Sequence, residues 1–141
     1  MKILITEEHP MIARAMRRQF EFYCCRVTAE SDPRAAFELA TTQDFDIVVC
    51  DWQMSKMPGS AFVRGVRDTV ESDRRIVVVS ASDSDESEAE ARAAGADDFF
   101  DKPVHREDVR RVIQECQSRQ PGEGRTRRKQ SAVLLASCAH V

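Results

Sequence analysis

No apolar run in this chain approaches the roughly 20 residues of a membrane-spanning helix; Ile76–Val79 is representative. The opening Met1-Lys2-Ile3-Leu4-Ile5 meets Glu7 and Glu8 almost at once, so the long apolar stretch of a secretory signal is missing. The five cysteines are an odd number without a C-x-x-C pair, which argues against a disulfide framework or a zinc site. A reduced, cytoplasmic setting is the expectation. No G-x-G-x-x-G follows the first apolar run, which removes the usual mark of dinucleotide binding. His9, His105 and His140 lack metal-ligand spacing, and solvated or capping roles are expected for them.

What remains is the composition of one soluble domain. At 141 residues the chain is long enough to bury a core. Its net charge of −3 is unevenly spread. From Gln120 onward, Arg125, Arg127, Arg128 and Lys129 stand against Glu123 alone, a balance of +3 that leaves −6 on the rest. An acidic body gives no support to nucleic-acid binding, so neither nucleic acid nor membrane is expected as a partner.

Short apolar runs alternate with amphipathic stretches. Strands are expected over Lys2–Thr6, Cys25–Ala29, Asp46–Cys50, Arg75–Ser80 and Asp98–Phe100. Ile47-Val48-Val49 and Ile76-Val77-Val78-Val79 are continuous and β-branched, the composition of strands covered on both faces. Pro10 opens a helix with Met11, Ile12, Ala15, Met16 and Phe20 on one stripe. Asp32-Pro33 repeats a cap-then-proline signature before Ala36, Leu39 and Ala40. Ser60 is expected to cap a third helix with Phe62, Val66 and Val70 inward. Ser82 with Asp85 forms a capping-box pattern for an acidic fourth helix (Asp83, Asp85, Glu86, Glu88, Glu90) that stops at Gly95. A fifth runs from about His105 to Arg119 with Val109, Val112, Ile113 and Cys116 on one face. Five βα units imply a parallel sheet with helices on both faces, because each crossover is right-handed. In open sheets of this kind, sites lie beyond the carboxyl ends of the strands.

Those ends carry Glu7 and Glu8, Asp51, Ser80 and Lys102. Three carboxylates sharing a crevice repel one another unless a cation joins them or their pKa values rise. Oxygen-only donors favour a hard divalent ion such as Mg²⁺. A carboxylate can attack phosphorus and form an aspartyl phosphate, and a metal, an ammonium and a hydroxyl can neutralise the phosphoryl oxygens. Taken singly, each residue has a plainer reading: an exposed glutamate pair, a turn-capping aspartate, a strand-end serine, a surface lysine. All four ends in this order are harder to explain that way.

The ordered set LITEEHP, VVCDWQMSKMPG, VVVSAS and GADDFFDKPV resembles the receiver domain of bacterial two-component response regulators, over roughly Met1 to Arg119. The resemblance implies a flavodoxin-like, doubly wound five-stranded parallel sheet in the order 2-1-3-4-5. It implies Asp51 as phosphoacceptor, Ser80 and Lys102 as phosphate partners, and Ser80 with Phe99 as the switch pair, Phe100 being the neighbouring aromatic. Mg²⁺ is implied on Glu8, Asp51, the Gln53 backbone carbonyl and, through water, Glu7. Side chains at Gln53 and Ser82 are implied to tune loss of the phosphoryl group, and the Lys102–Pro103 bond to be cis.

Two departures stand out. Glu7 and Glu8 replace the usual aspartates and are one methylene longer, which bears on metal affinity and phosphorylation rate. Ser55 and Pro58 replace the proline and aspartate common in the loop after the acceptor, while its glycine is kept as Gly59.

The function implied is a phosphoacceptor switch rather than an enzyme, one that catalyses at most its own phosphorylation and dephosphorylation. It would receive its phosphoryl group from a sensor histidine kinase or histidine phosphotransfer protein. Its output would be a downstream protein bound through the face of the fourth helix, fifth strand and fifth helix, a homodimer, or onward phosphotransfer, since no output domain fits after Arg119. The alternative is a pseudo-receiver that binds partners regardless of phosphorylation. A phosphatase using Asp51 would need a second acid two residues on, where Gln53 stands. Trp52 is expected at the site mouth, and the thiols of Cys24-Cys25 are expected to be buried rather than reactive. Residues 1–119 form the receiver; residues 120–141 comprise a linker (Gln120–Gly124), a basic run and a short apolar tail, which is open between docking on the domain, pairing with a partner and belonging to a longer chain.

Overall fold

The computed structural model describes residues 1–69, 74–81 and 85–118. Strands and helices alternate: β1 (Lys2–Thr6), α1 (Pro10–Phe22), β2 (Arg26–Glu30), α2 (Pro33–Thr42), β3 (Ile47–Asp51), α3 (Gly59–Thr69), β4 (Arg75–Ser80), α4 (Asp85–Ala94), β5 (Asp98–Asp101) and α5 (Arg106–Ser118). All strand pairs are parallel and the sheet runs β2-β1-β3-β4-β5, the doubly wound order that was expected. The winding reverses between β1 and β3, so a crevice opens beyond their carboxyl ends.

The period of two along each strand divides the core into two layers. Leu4, Val48, Ile76 and Val78 pack against Ala36, Phe62, Val63, Val66 and Ala91 of α2, α3 and α4. Ile3, Ile5, Ile47, Val49, Val77 and Val79 pack against Met16, Phe20, Val109, Val112 and Ile113 of α1 and α5. Every residue of β3 and β4 is buried, which is why their apolar runs are unbroken rather than alternating.

Pro10 and Pro33 occupy the first turns of α1 and α2, and Asp32 accepts the Ala35 N–H (3.3 Å). His9 stands at the N-cap position of α1 without a side-chain bond to the helix. Gly95 ends α4 at φ +124°, a conformation that favours glycine, and a Cβ there would meet the Arg67 side chain.

Some expected boundaries shift. β2 begins at Arg26, not Cys25, because the chain turns at Cys24 with φ 63°. Cys25 is buried as expected, whereas Cys24 is exposed. Ser60 lies inside the first turn of α3, which opens at Gly59 with the Phe62 N–H bonded to the Pro58 carbonyl (3.1 Å). Asp51 is the last residue of β3, and β5 extends to Asp101. Val70, Ser82, Asp83, Arg119, His140 and the 120–141 tail lie outside the described residues.

At the amino ends of β4 and β5, three arginines are buried, an uncommon fate for this residue type. Arg67 bonds the carbonyls of Gly95 and Arg74 (both 2.8 Å) and pairs with Asp97 (2.5 Å). Arg74 bonds the carbonyls of Ala40 and Gln43. Arg75 forms a fork on Asp98 (2.6 and 3.1 Å) and reaches Glu115 (2.9 Å). They fasten α2, α3, α4 and α5 to one edge of the sheet and leave the opposite edge for the site.

Candidate functional site

Backbone bonds carry the pairing past the strand ends and so fix the residues that follow. The Trp52 N–H donates to the Val79 carbonyl and the Lys102 N–H to the Ser80 carbonyl, each at 2.9 Å. Buried Thr6 donates its hydroxyl to the sulfur of Met54 (3.6 Å), which anchors the loop after β3 against β1.

The centre of the crevice is a cation between two carboxylates. Lys102 Nζ lies 3.1 Å from Asp51 Oδ1 and 2.6 Å from Glu7 Oε1. The Asp51 contact is a hydrogen bond, whereas the approach to Glu7 Oε1 falls outside hydrogen-bond geometry and pairs that oxygen by charge alone. Asp51 Oδ1 also accepts the Gln53 N–H (3.2 Å), and Glu7 Oε2 accepts the His9 N–H (3.1 Å). Asp51 is 2% exposed and Glu7 1%. Burial and then the charge of Glu7 raise the pKa of Asp51, against Lys102 and the Gln53 N–H, which lower it. For Lys102, burial lowers the pKa, but the Glu7 contact and the Asp51 charge outweigh it and hold the ammonium above its ordinary value. The buried thiol of Cys50 is pushed well above its usual range by desolvation, then by the charges of Asp51 and Glu7.

One residue of the expected set is engaged differently from expectation. Glu8 faces the loop rather than the crevice centre: its carboxylate accepts the Ser55 N–H (2.5 Å) and the Ser55 hydroxyl (2.6 Å). Those bonds, the hydroxyl first, lower its pKa. Gln53, expected to contribute its carbonyl, also spans the site with its side chain. Its amide donates to Ser80 Oγ (3.1 Å) and accepts the Ala81 N–H (3.2 Å). The structure thus brings together Glu7, Asp51, Gln53, Ser80 and Lys102, with Glu8 at the rim. The grip of Ser55 on Glu8 had no signal in the sequence beyond a hydroxyl residue where the resembled family has proline.

Phe99 is half-buried against the α2–α3–α4 layer, while Phe100 packs on the opposite face beneath Arg111, 5.3 Å from its ring centre. The Lys102–Pro103 bond is cis. Trp52 is half-buried at the mouth and sits directly over Gly59. A Cβ on Gly59 would come within 2.7 Å of the Trp52 carbonyl oxygen and 2.9 Å of its Cα. Backbone cannot swing aside as a side chain can, so Gly59→Ala is expected to displace the acceptor loop and cost about 1–3 kcal/mol. Urea unfolding followed by Trp52 emission checks this; an unchanged midpoint and emission maximum would show that the loop absorbs the methyl freely.

The donor chemistry fits a hard divalent cation such as Mg²⁺: Glu7 and Asp51 share one ammonium at the crevice centre, Glu8 lies at the rim, and the buried Glu7 Oε1 lacks a hydrogen bond. The arrangement differs, since among the described residues no three His, Cys, Asp or Glu side chains already form a ligand group. The difference centres on Glu8.

The acidic and lysine side chains thus gather in a crevice at the carboxyl ends of a doubly wound α/β sheet. The sequence matches the response regulator receiver domain over residues 3–114. It is 30% identical over 108 residues to the response regulator MprA of Mycolicibacterium vanbaalenii, covering 77% of this chain and 46% of that protein. The chain therefore spans about half the length of that relative. Its fold is similar to that of the receiver domain of Francisella response regulator 1452 (TM-score 0.75, 26% identity, 82% of this chain and 96% of that one). It is also similar to the receiver domain of sensor histidine kinase PA1611 from Pseudomonas aeruginosa PAO1, solved with magnesium in its active-site cleft (TM-score 0.75, 23% identity, 83% and 98%). The chain belongs to the response regulator receiver domain family of two-component signalling. Among the described residues no helix is long and apolar enough to cross a membrane.

Proposed function

We propose that this receiver accepts a phosphoryl group on Asp51 and signals through an altered surface. The observation that carries the reading is the buried Asp51 carboxylate at the end of β3, held by Lys102 beside Glu7. A carboxylate oxygen of Asp51 attacks the phosphorus of a phosphohistidine on a sensor kinase or phosphotransfer protein. An O–P bond forms, the P–N bond breaks, and its electron pair returns to the imidazole nitrogen. Glu8, Asp51, the Gln53 carbonyl and, through water, Glu7 would hold Mg²⁺, which supplies neutralisation of the phosphoryl charge.

This chain's own residues do the rest. Lys102 exchanges a carboxylate partner for a phosphoryl oxygen. Ser80 gives up the Gln53 amide for another, which frees the ends of β4 and β5 to shift and Phe99 to turn inward. The face of α4, β5 and α5 then differs between states, and phosphorylation drives the change by as much as it binds one state more strongly. A bias of about 5.5 kcal/mol is enough to take a population from 1:99 to 99:1. Gln53, already bonded to Ser80 and Ala81, and Ser82 would tune how long the phosphoryl group survives. On this reading the chain turns over no substrate beyond its own phosphorylation, works in the cytoplasm, and hands its output to a partner protein or a second copy.

Intact mass after incubation with acetyl phosphate or phosphoramidate and Mg²⁺ tests this. Wild type is expected to gain one phosphoryl group, and Asp51→Asn or chelator-treated protein none. Absence of an adduct in folded wild type with every donor would overturn the reading and leave a phosphorylation-independent binding module.

A further inference from the structure

The acceptor crevice has three carboxylates, yet one of them is already engaged by the loop after β3. Glu8 accepts two short bonds from a single residue, the Ser55 N–H at 2.5 Å and the Ser55 hydroxyl at 2.6 Å. Both have an ionised acceptor, which makes them about twice as strong as neutral hydrogen bonds. Lys56, the next residue in the loop, is ion-paired to Asp32, and Glu8 and Lys56 line the same small hollow with Ser31, Asp32 and Pro33. Buried Glu7 and Asp51, by contrast, share Lys102 at the crevice centre.

We propose that Ser55 is a restraint on metal binding: it holds Glu8 at the rim, so that a divalent cation must draw the carboxylate away from the loop before it is fully ligated. Ser55 thereby lowers the affinity for Mg²⁺ and couples metal binding to movement of the loop after β3. Loop and metal compete for the same carboxylate. A carboxylate satisfied by two donors must lose them to give an oxygen to a metal, and that loss subtracts from the binding free energy. The length of glutamate contributes, since the extra methylene lets Glu8 span from β1 to the loop. The inference rests on the magnesium-dependent reading above.

Magnesium titration of the full chain, followed by emission of its single tryptophan, Trp52, tests the proposal. Ser55 is exposed, so Ser55→Ala is expected to fold normally; it removes the hydroxyl donor and leaves the N–H. Affinity is expected to rise about three- to tenfold, the range for one charge-assisted bond partly replaced by water. Ser55→Pro removes both donors and is expected to bind more tightly still. In a Glu8→Gln background the Ser55→Ala gain should vanish, which separates release of Glu8 from a general loosening of the loop.

Unchanged or weaker affinity in Ser55→Ala, or a gain that survives Glu8→Gln, would overturn the restraint while leaving the phosphoacceptor reading intact. No magnesium response in any variant, by emission and by calorimetry, would overturn the restraint together with the metal-dependent reading.

Discussion

Lys102→Met is expected to cost about 3–5 kcal/mol of stability at neutral pH in metal-free buffer, the usual penalty for stripping one partner from a buried ionic group. The lysine is the shared counter-ion of Glu7 and Asp51, and both carboxylates are almost fully buried. Methionine keeps the apolar stem and removes only the charge. The deficit should shrink as the pH is lowered, for a reason whose sign can be stated. Asp51 already has a folded-state pKa raised by burial and by Glu7, with Lys102 opposing. Removing Lys102 raises it further above the unfolded value of about 3.9. A group raised on folding contributes stability that is present below its unfolded pKa and lost as pH rises through the folded one. Urea melts of wild type and variant in chelator, taken from neutral pH down toward the unfolded Asp value of about 3.9, check this. A deficit independent of pH would mean that lost packing, not the unpaired carboxylates, is the cause.

Arg75→Leu is expected to be comparably severe and to arise far from the site. Its guanidinium forks onto Asp98, which is 8% exposed, and its pKa is held above the ordinary value by the Asp98 bonds, against burial. Glu115, the other partner, is half-exposed and keeps Arg111 at 3.7 Å, so the stranded charge is Asp98. Loss of the partner should cost about 3–5 kcal/mol, whereas Arg75→Leu/Asp98→Leu should recover most of it, because a well-packed apolar pair often equals a buried ionic one. Guanidinium unfolding of the three proteins decides the matter. A double variant as weak as the single would assign the loss to packing among β4, β5 and α5.

These expectations concern residues that local pattern reads with very different success. Runs such as Ile47-Val48-Val49 and Ile76–Val79 announce strands buried on both faces, because burial on both sides removes any need for alternation. Asp32-Pro33 and Gly95 mark helix ends through chemistry confined to a few neighbouring residues. Once five such units are laid out, handed crossovers and the strand-end rule bring Asp51, Ser80 and Lys102 to one edge. Cys24 escaped the same reasoning, since a positive φ at a non-glycine residue has no reliable local mark.

Glu7 and Glu8 show where that reasoning stops. They are adjacent and chemically identical, and the pattern treats them as a pair. In the fold one is buried against Lys102, 95 residues along the chain, and the other is held at the rim by Ser55. Neighbouring side chains beyond a strand point in different directions, and what each meets depends on loops contributed by other units. The same holds for Gln53, whose side chain bridges to β4, and for Arg67, Arg74 and Arg75, whose burial depends on carbonyls and carboxylates brought in from other elements.

The order of elements, the two-sided core and the edge on which the chemistry gathers were therefore written in the chain itself, because periodicity, caps and crossover handedness are local or topological. Which carboxylate is buried, which is restrained, and what Ser80 bonds at rest were decided only by the packed structure, because hydrogen bonds and ion pairs between distant residues follow from positions that the whole fold sets.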